Sequence, residues 1–465
     1  MVGRSQEPWS SAILPFRTMY APRLRPLVIM LTELISKILL ITSSFQHIFV
    51  EIERKDITFC PEVSMLHRLE IENFYAIRDP QVIDLRVAYN VPETPGRFAP
   101  LWFGSDERAP KVVGLFGANA SGKSTVLRAL SFVAWFARES FNIAPGAPLP
   151  FLRFNSVEAG AAPTRLAIQL AGVNPVDWLL GEVRYGYEIV IGRSSEGHDQ
   201  VIREAMHYWA HDSGRKVRLF ERDSKGNVKT GPEFGMTGFT QALGKVLRPN
   251  ASVISTLAQL QHGFATTLWE AAQQVFSNIF IERNETLEHQ MVQFYAQNPS
   301  LVDSLNREIE RVDLGIRSMR VEQGANGPIL LFNHEGHDGP MMLHLESHGT
   351  RMFIWVYPFL LRALETGGIA LLDELDTAIH PLLLPEILRW FYDPVRNPHN
   401  AQLWMTCHNA SLLEELIKEE ILFASKTSTG CAEIFALGDV QGVRRDDNYY
   451  RKYLSGIYGA VPRIG

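Results

Sequence analysis

The sequence predicts an α/β protein built round a parallel sheet, with an antiparallel β subdomain and a helical insertion. Three observations predict it. GLFGANASGKST (114–125) is an apolar run that ends in a glycine-rich turn and opens into a helix-periodic segment. IALLDELD (369–376) is four apolar residues closed by acids, the pattern of a buried strand with polar groups at its C-terminal end. Between 351 and 418 helix-period and strand-period segments alternate, which is how parallel strands joined by crossover helices read in sequence.

The elements follow in order. Residues 1–64 read as a leader that matches nothing downstream, a start called too early or a disordered segment, with an amphipathic appendage or a targeting segment as alternatives, and the folded chain is expected to start at Met65. The leader's apolar run LVIMLTELISKILLI (27–41) is shorter than the roughly 20 residues a membrane span needs, and Glu33 and Lys37 interrupt it. A first lobe, 65–237, opens with a strand in MLHRLEIENFYAI and a hairpin partner in VIDLRVA. KVVGLF (111–116) is a short buried strand, and STVLRALSFVAWFARES is a helix with apolar residues on one side. TRLAIQL, YGYEIVIG, EAMHYWAH and RKVRLFER alternate as antiparallel strands. Residues 238–315 form the helical insertion, in which Leu301, Val302, Leu305 and Ile309 share a face. A second lobe, 316–465, begins with strands over 316–345 and continues as helix 351–366, strand 368–373, helix 382–393, strand 402–407 and helix 410–418.

Gly117 to Ser124 fits G-x-x-x-x-G-K-[ST] between a strand and a helix, the context that gives this motif its meaning. Gly117, Asn119, Ser121, Gly122 and Thr125 belong to a loop whose backbone N–H groups turn inward on phosphate oxygens at a helix N-terminus. Lys123 supplies a charge for the β- and γ-phosphates, and the Ser124 hydroxyl is placed to ligate Mg²⁺. Asp373, at the end of the acidic strand, is the second Mg²⁺ candidate, directly or through water, and Glu374 is the candidate base that accepts a proton from, or orients, the attacking water. These residues predict a P-loop NTPase that binds a nucleoside triphosphate with Mg²⁺; the loop alone leaves kinases, GTPases, AAA rings and ABC-type ATPases open, and the chain has no Asn-Lys-x-Asp to favour guanine.

ENFYAIRDPQVIDL (72–85), GANASGKST, LESHGTR (345–351), IALLDELDTAIHP and AQLWMTCHNASLLEE together resemble the ABC/SMC-like AAA-type ATPases of bacterial abortive-infection (anti-phage) systems, the AbiLi/RloC-like group, similar in plan to the PARIS ATPase AriA. The resemblance spans about residues 65–460 and implies an ABC/SMC-head-like P-loop fold, hydrolysis of ATP, and a homodimer or higher oligomer closed by ATP. It assigns Ser347 and Gly349 to a signature that contacts the γ-phosphate bound by the other subunit, and His408 to a γ-phosphate sensor. It also implies control of an effector, a nuclease encoded nearby, with RecF/SMC-like DNA repair or recombination as the alternative function. The chain departs from the family in three places. His348 stands where the signature has glycine, and His380 where SMC proteins have aspartate. Tyr75-Ala76 follows Asn73-Phe74 where Arg-Ser is usual, and Arg78 is the candidate replacement.

Bulk properties set limits on partners. The net charge of −6 gives no global basic field for nucleic acid or an anionic membrane. Three cysteines in no spaced cluster argue against a disulfide framework or zinc site and fit a reducing cytoplasm. His334 and His337 beside Glu335 and Asp338 read as a polar hairpin tip rather than a metal site. The tail RRDDNYYRKYLSGIYG (444–459) interleaves basic residues with tyrosines, a composition for nucleic acid or a docked protein, or for a segment packed on its own domain. The stretch after His408 is too short for an independent nuclease domain of typical size, so the effector is expected to act in trans.

Overall fold

The structure is a computed structural model that describes residues 65–461, apart from 103, 175–180, 211–213, 280–284, 313–314, 378 and 380–382. The described residues all fall in the unit Pro61–Gly465. The expectations placed on 1–64 and on His380 lie outside them.

The chain begins with β1 (Leu66–Glu72) and β2 (Gln81–Asp84), then a small ribbon of β3 (Phe98–Pro100) and β4 (Arg108–Pro110). The buried strand β5 (Val112–Phe116) leads into helix α1 (Lys123–Glu139). A short α2 (Val157–Ala161) precedes β6 (Thr164–Val173), β7 (Glu182–Arg193), β8 (Asp199–Trp209), β9 (Lys216–Arg222) and β10 (Val228–Thr230). Helices α3 (Thr240–Val246), α4 (Val253–Gln259) and α5 (Gly263–Gln273) come next, followed by β11 (Val275–Ser277), α6 (Glu285–Gln297) and α7 (Pro299–Val312). Then come β12 (Ile316–Gly324), β13 (Gly327–His334), β14 (Met341–Met342), α8 (His348–Thr366), β15 (Ile369–Leu372) and α9 (Leu383–Tyr392). The chain closes with β16 (Gln402–Thr406), β17 (Ile421–Lys426), β18 (Ala432–Ala436) and α10 (Tyr449–Leu454).

Two sheets organise these elements. One has the order β10-β9-β8-β7-β6-β1-β2 and is antiparallel throughout. The other has the order β11-β15-β16-β5-β17-β18, with every pair parallel except the last. All residues of β5, β15 and β16 are buried, as a sheet covered on both faces requires. The phosphate-loop strand β5 and the acidic strand β15 are therefore not neighbours; β16 lies between them.

Helix α1 joins the two sheets. Its Leu127, Phe132 and Phe136 are fully buried, and Phe132 lies 5.9 Å from Phe74 and 5.1 Å from Phe151, ring to ring. Such aromatic pairs contribute roughly 0.5–1.5 kcal/mol each beyond the area they bury. Helix α4 is tied down by charge as well. The fully buried Glu204 on β8 accepts the Val253 N–H at 2.9 Å and the hydroxyls of Ser252 at 2.9 Å and Tyr187 at 2.8 Å. Burial raises the Glu204 carboxyl above the ordinary range, and the nearby Arg222 opposes the rise.

The structure differs from the sequence reading in three places. The stretch 238–315, expected as a helical insertion, also supplies β11, whose three residues pair in parallel with β15; three residues are too few to show a strand period. The helix expected over 410–418 is two 3₁₀ turns, Ala410–Glu414 and Lys418–Glu420. The Asn409 side chain accepts the Ser411 N–H and Ser411 hydroxyl, a local alternative to helix bonding. The hairpin β17–β18 that follows, with β17 pairing on β5, was not foreseen.

Among the described residues no helix is long and apolar enough to cross a membrane, and no group of three or more His, Cys, Asp and Glu is placed to hold a metal ion. His334 instead pairs with Glu346 at 2.7 Å. In the tail, Tyr453 and Tyr458 stack on Phe423 at 5.3 and 5.6 Å and are buried together with Tyr449. Arg445 and Lys452 are paired with Glu419 and Asp447. The tail's tyrosines thus serve the core of their own domain.

Candidate nucleotide site

The site is built at the C-terminal ends of the parallel strands, where ligands of open α/β sheets bind. Gly117 has φ +145°, and a Cβ there would lie 2.2 Å from the Ala424 carbonyl oxygen. Gly122 has φ +109°, and its Cβ would meet that of Ala432 at 2.5 Å. Only glycine fits either position, so the loop lies tight against the β17–β18 hairpin.

Lys123 folds back over the loop and donates to the carbonyls of Gly117 at 2.9 Å and Ala118 at 3.0 Å. Burial holds its ammonium below the ordinary lysine range, and the carboxylates of Asp373, Asp376 and Glu374 oppose the fall. The Ser121 hydroxyl is buried without a partner, so the loop contains an unsatisfied polar group that a phosphate would satisfy.

Ser124 donates its hydroxyl proton to Asp373 Oδ1 at 2.9 Å, which joins the start of α1 to the end of β15. Thr406, at the end of β16, donates to the same oxygen at 2.6 Å. Beyond Asp373, Glu374 is exposed and has a left-handed backbone, φ +52°. Asp376 Oδ2 accepts the N–H groups of His408, at 2.7 Å, and Asn409. One short acidic turn thus touches the phosphate-loop helix, the β16 strand end and the histidine loop.

A cavity of about 650 Å³ opens over these groups. Residues 119–125, Glu374 and His408 line it, along with Tyr75, Arg128, Arg153, Asn155 and Lys426. His408 is exposed, whereas its neighbour Cys407 is buried and its thiol is pushed well up by burial. The two point apart, and no Cys–His pair forms. The Ser124 hydroxyl and Asp373 carboxylate are hard oxygen donors suited to Mg²⁺, which takes one or two protein carboxylates and completes its shell with phosphate and water. The donor set, the orphaned Ser121 hydroxyl and the glycine-only loop all fit a magnesium nucleotide.

Ser347 and Gly349 are not among the residues lining this cavity. Ser347 is exposed and caps α8, accepting the Thr350 N–H at 3.1 Å. Arg78 does not replace the missing arginine: it pairs with Asp79 at 2.9 Å and does not line the cavity. Tyr75 lines the wall instead, with the Arg128 guanidinium 5.1 Å from its ring centroid. Sequence reasoning missed Arg128, Thr406, Asp376 and Asn278. Arg128 lies four residues after Ser124 on the same helix, a spacing that places it on the Ser124 face. Thr406 is the polar C-terminal end of the strand QLWMT, whose middle residues Leu403, Trp404 and Met405 are apolar. Asn278 gave no local signal, because β11 itself was not visible.

The family model described as "AAA domain, putative AbiEii toxin, Type IV TA system" matches residues 112–414. No curated protein matches the chain. Among solved structures it is similar to the SMC head domain from Thermotoga maritima, at 13% identity and TM-score 0.37, over 80% of this chain and 98% of that one. It is also similar to an Smc head bound to the C-winged helix domain of ScpA, at 11% identity and TM-score 0.41, over 80% and 97%. The Smc head with a coiled coil and joint from Pyrococcus yayanosii aligns at 10% identity and TM-score 0.40, over 84% and 99%.

Proposed function

The chain belongs to the AAA-domain family that its residues 112–414 match, and from that premise we propose that it is a magnesium-dependent ATPase of the cytoplasm. In this reading two copies close face to face on ATP, and the nucleotide state governs a separate effector in anti-phage defence. The observation that supports ATP hydrolysis most strongly is the meeting of Ser124, Glu374 and His408 from three separate chain segments at one cavity, with Asp373 bonded to Ser124 beside it.

The chemistry assigned to each residue is simple. Backbone N–H groups of 119–124 and the Lys123 ammonium bind the β- and γ-phosphates, Lys123 exchanging its two carbonyl partners for phosphate oxygens. Ser124 and Asp373 would hold Mg²⁺, which when bound neutralises phosphate charge. Glu374 orients a water and takes its proton as the water oxygen bonds to the γ-phosphorus, while the bond from that phosphorus to the ADP oxygen breaks. His408 lines the same cavity and is assigned to sensing the γ-phosphate.

Ser347 and Gly349 do not line their own chain's cavity. At the N-terminus of α8, with Ser347 exposed and Gly349 half-buried, they are assigned to the phosphate bound by the second copy, where a helix N-terminus favours an anion. Ser347→Arg should leave nucleotide binding by the monomer intact and abolish ATP-induced dimers, read as mass by light scattering. Dimers of unchanged stability would remove Ser347 from the interface.

The effector is assigned to a nuclease encoded beside this chain. Expressed alone, the chain should neither protect cells from phage nor cleave DNA or RNA, and protection should appear with its neighbour. Nuclease activity of the purified chain, or protection without a neighbour, would overturn the two-component arrangement.

A further inference from the structure

The backbone of the acidic turn is held by side chains, not by its strand. The pairing of β15 with β16 ends at Leu372 and Met405, so Asp373 and Glu374 have no ladder partners for their main-chain groups, and those groups must be satisfied in another way. On the β11 side, Asn278 Oδ1 accepts the Asp373 N–H at 2.8 Å, and Asn278 Nδ2 donates to the Asp373 carbonyl at 3.1 Å. One amide thus brackets both backbone groups of a single residue. On the β16 side, the Thr406 hydroxyl accepts the Glu374 N–H at 2.7 Å and donates its only proton to Asp373 Oδ1 at 2.6 Å. The Thr406 carbonyl accepts the Leu375 N–H at 3.3 Å.

This bonding explains how Glu374 keeps φ +52°, a conformation that costs an L-residue energy and persists only where its surroundings over-determine it. Thr406 is fully buried with its hydroxyl bonded to Asp373 and Glu374, and both ends of the Asn278 amide are bonded to the Asp373 backbone. Both side chains are therefore committed to the turn rather than to substrate. Both act on the two residues assigned to metal and water.

We propose that Asn278 and Thr406 are positioning residues that suspend the catalytic turn between β11 and β16 and aim the Glu374 carboxylate at the attacking water. The proposal rests on Glu374 being the base. Thr406 has the larger part, since its single hydroxyl fixes the Glu374 backbone and the Asp373 carboxylate together. Asn278 fixes the residue before Glu374 and makes the geometry of the turn depend on the seating of β11.

The test is steady-state hydrolysis and fluorescent-ATP binding by the full chain and by Thr406→Val, Thr406→Ser and Asn278→Ala, each also combined with Glu374→Gln. Thr406→Val and Asn278→Ala should lower kcat by about tenfold to a hundredfold, the effect of a misplaced catalytic group, with nucleotide affinity unchanged. Thr406→Ser keeps the hydroxyl and should retain most of the rate. Added to Glu374→Gln, Thr406→Val and Asn278→Ala should cost much less than they cost the wild type, because residues that act as a unit are non-additive and only the effect through Asp373 remains. Wild-type kcat in Thr406→Val, or a loss on top of Glu374→Gln as large as in the wild type, would overturn the proposal, as would a fall in affinity that matches the fall in rate. A wild-type chain that binds ATP but shows no magnesium-dependent turnover would remove the base assignment itself, and the positioning role with it.

Discussion

Glu374→Gln is expected to bind ATP as the wild type does and to turn it over about 10²-fold or more slowly, the loss that follows removal of a general base. The substitution is nearly isosteric, and the Glu374 side chain is exposed to the cavity rather than packed in the core. Its backbone N–H bond to Thr406 does not depend on the carboxylate. The turn should therefore keep its shape while losing the group that accepts the proton. ATP that bridges two heads and is not cleaved should then accumulate as a dimer, visible as a doubled mass in ATP that disappears in ADP. A Glu374→Gln chain with normal turnover would move the base to another residue.

Lys123→Ala is expected to fail earlier, at binding. The ammonium is buried beside the loop carbonyls, and burial already depresses its pKa; a polyphosphate is the partner that stabilises its charge. A hydrogen bond to a charged group contributes roughly 1.5–3 kcal/mol, so its loss should weaken ATP binding by about tenfold to a hundredfold. The variant should need about tenfold to a hundredfold more ATP to form the same dimer. Titration with a fluorescent nucleotide checks it, and wild-type affinity would mean that the loop binds through backbone alone. The two variants separate binding from chemistry: one holds ATP without cleaving it, the other holds it weakly.

Much of this arrangement was legible in the sequence, and the reason is local. A phosphate loop must carry glycine where φ is positive and lysine and serine at fixed offsets, so Gly117, Gly122, Lys123 and Ser124 announce themselves within one stretch. The acidic strand is equally plain, because IALL can only be buried and Asp373 and Glu374 can only lie at its end. The antiparallel strands showed their period of two. What stayed hidden depends on residues far apart in sequence. The hydroxyl of Thr406 meets Asp373 and Glu374 across 33 and 32 positions, and Asn278 reaches Asp373 across 95. No periodicity encodes such contacts. The short strand β11 was obscured by the helices on either side of it, and for α10 composition left a binding surface and self-packing both open. Its basic residues and tyrosines suggest a binding surface by composition, yet Tyr449, Tyr453 and Tyr458 face inward against the sheet residue Phe423 and its surroundings.

The central claim is that ATP is cleaved at a site completed by a second copy of the chain. It is tested most directly by phosphate release from ATP by the purified wild-type chain, measured with and without Mg²⁺ across serial dilution of the protein. The account predicts magnesium-dependent release whose rate per chain falls on dilution, as dimers separate by mass action. Release that needs no Mg²⁺, a rate per chain that is constant down to concentrations at which only monomer remains, or no release at all would contradict it.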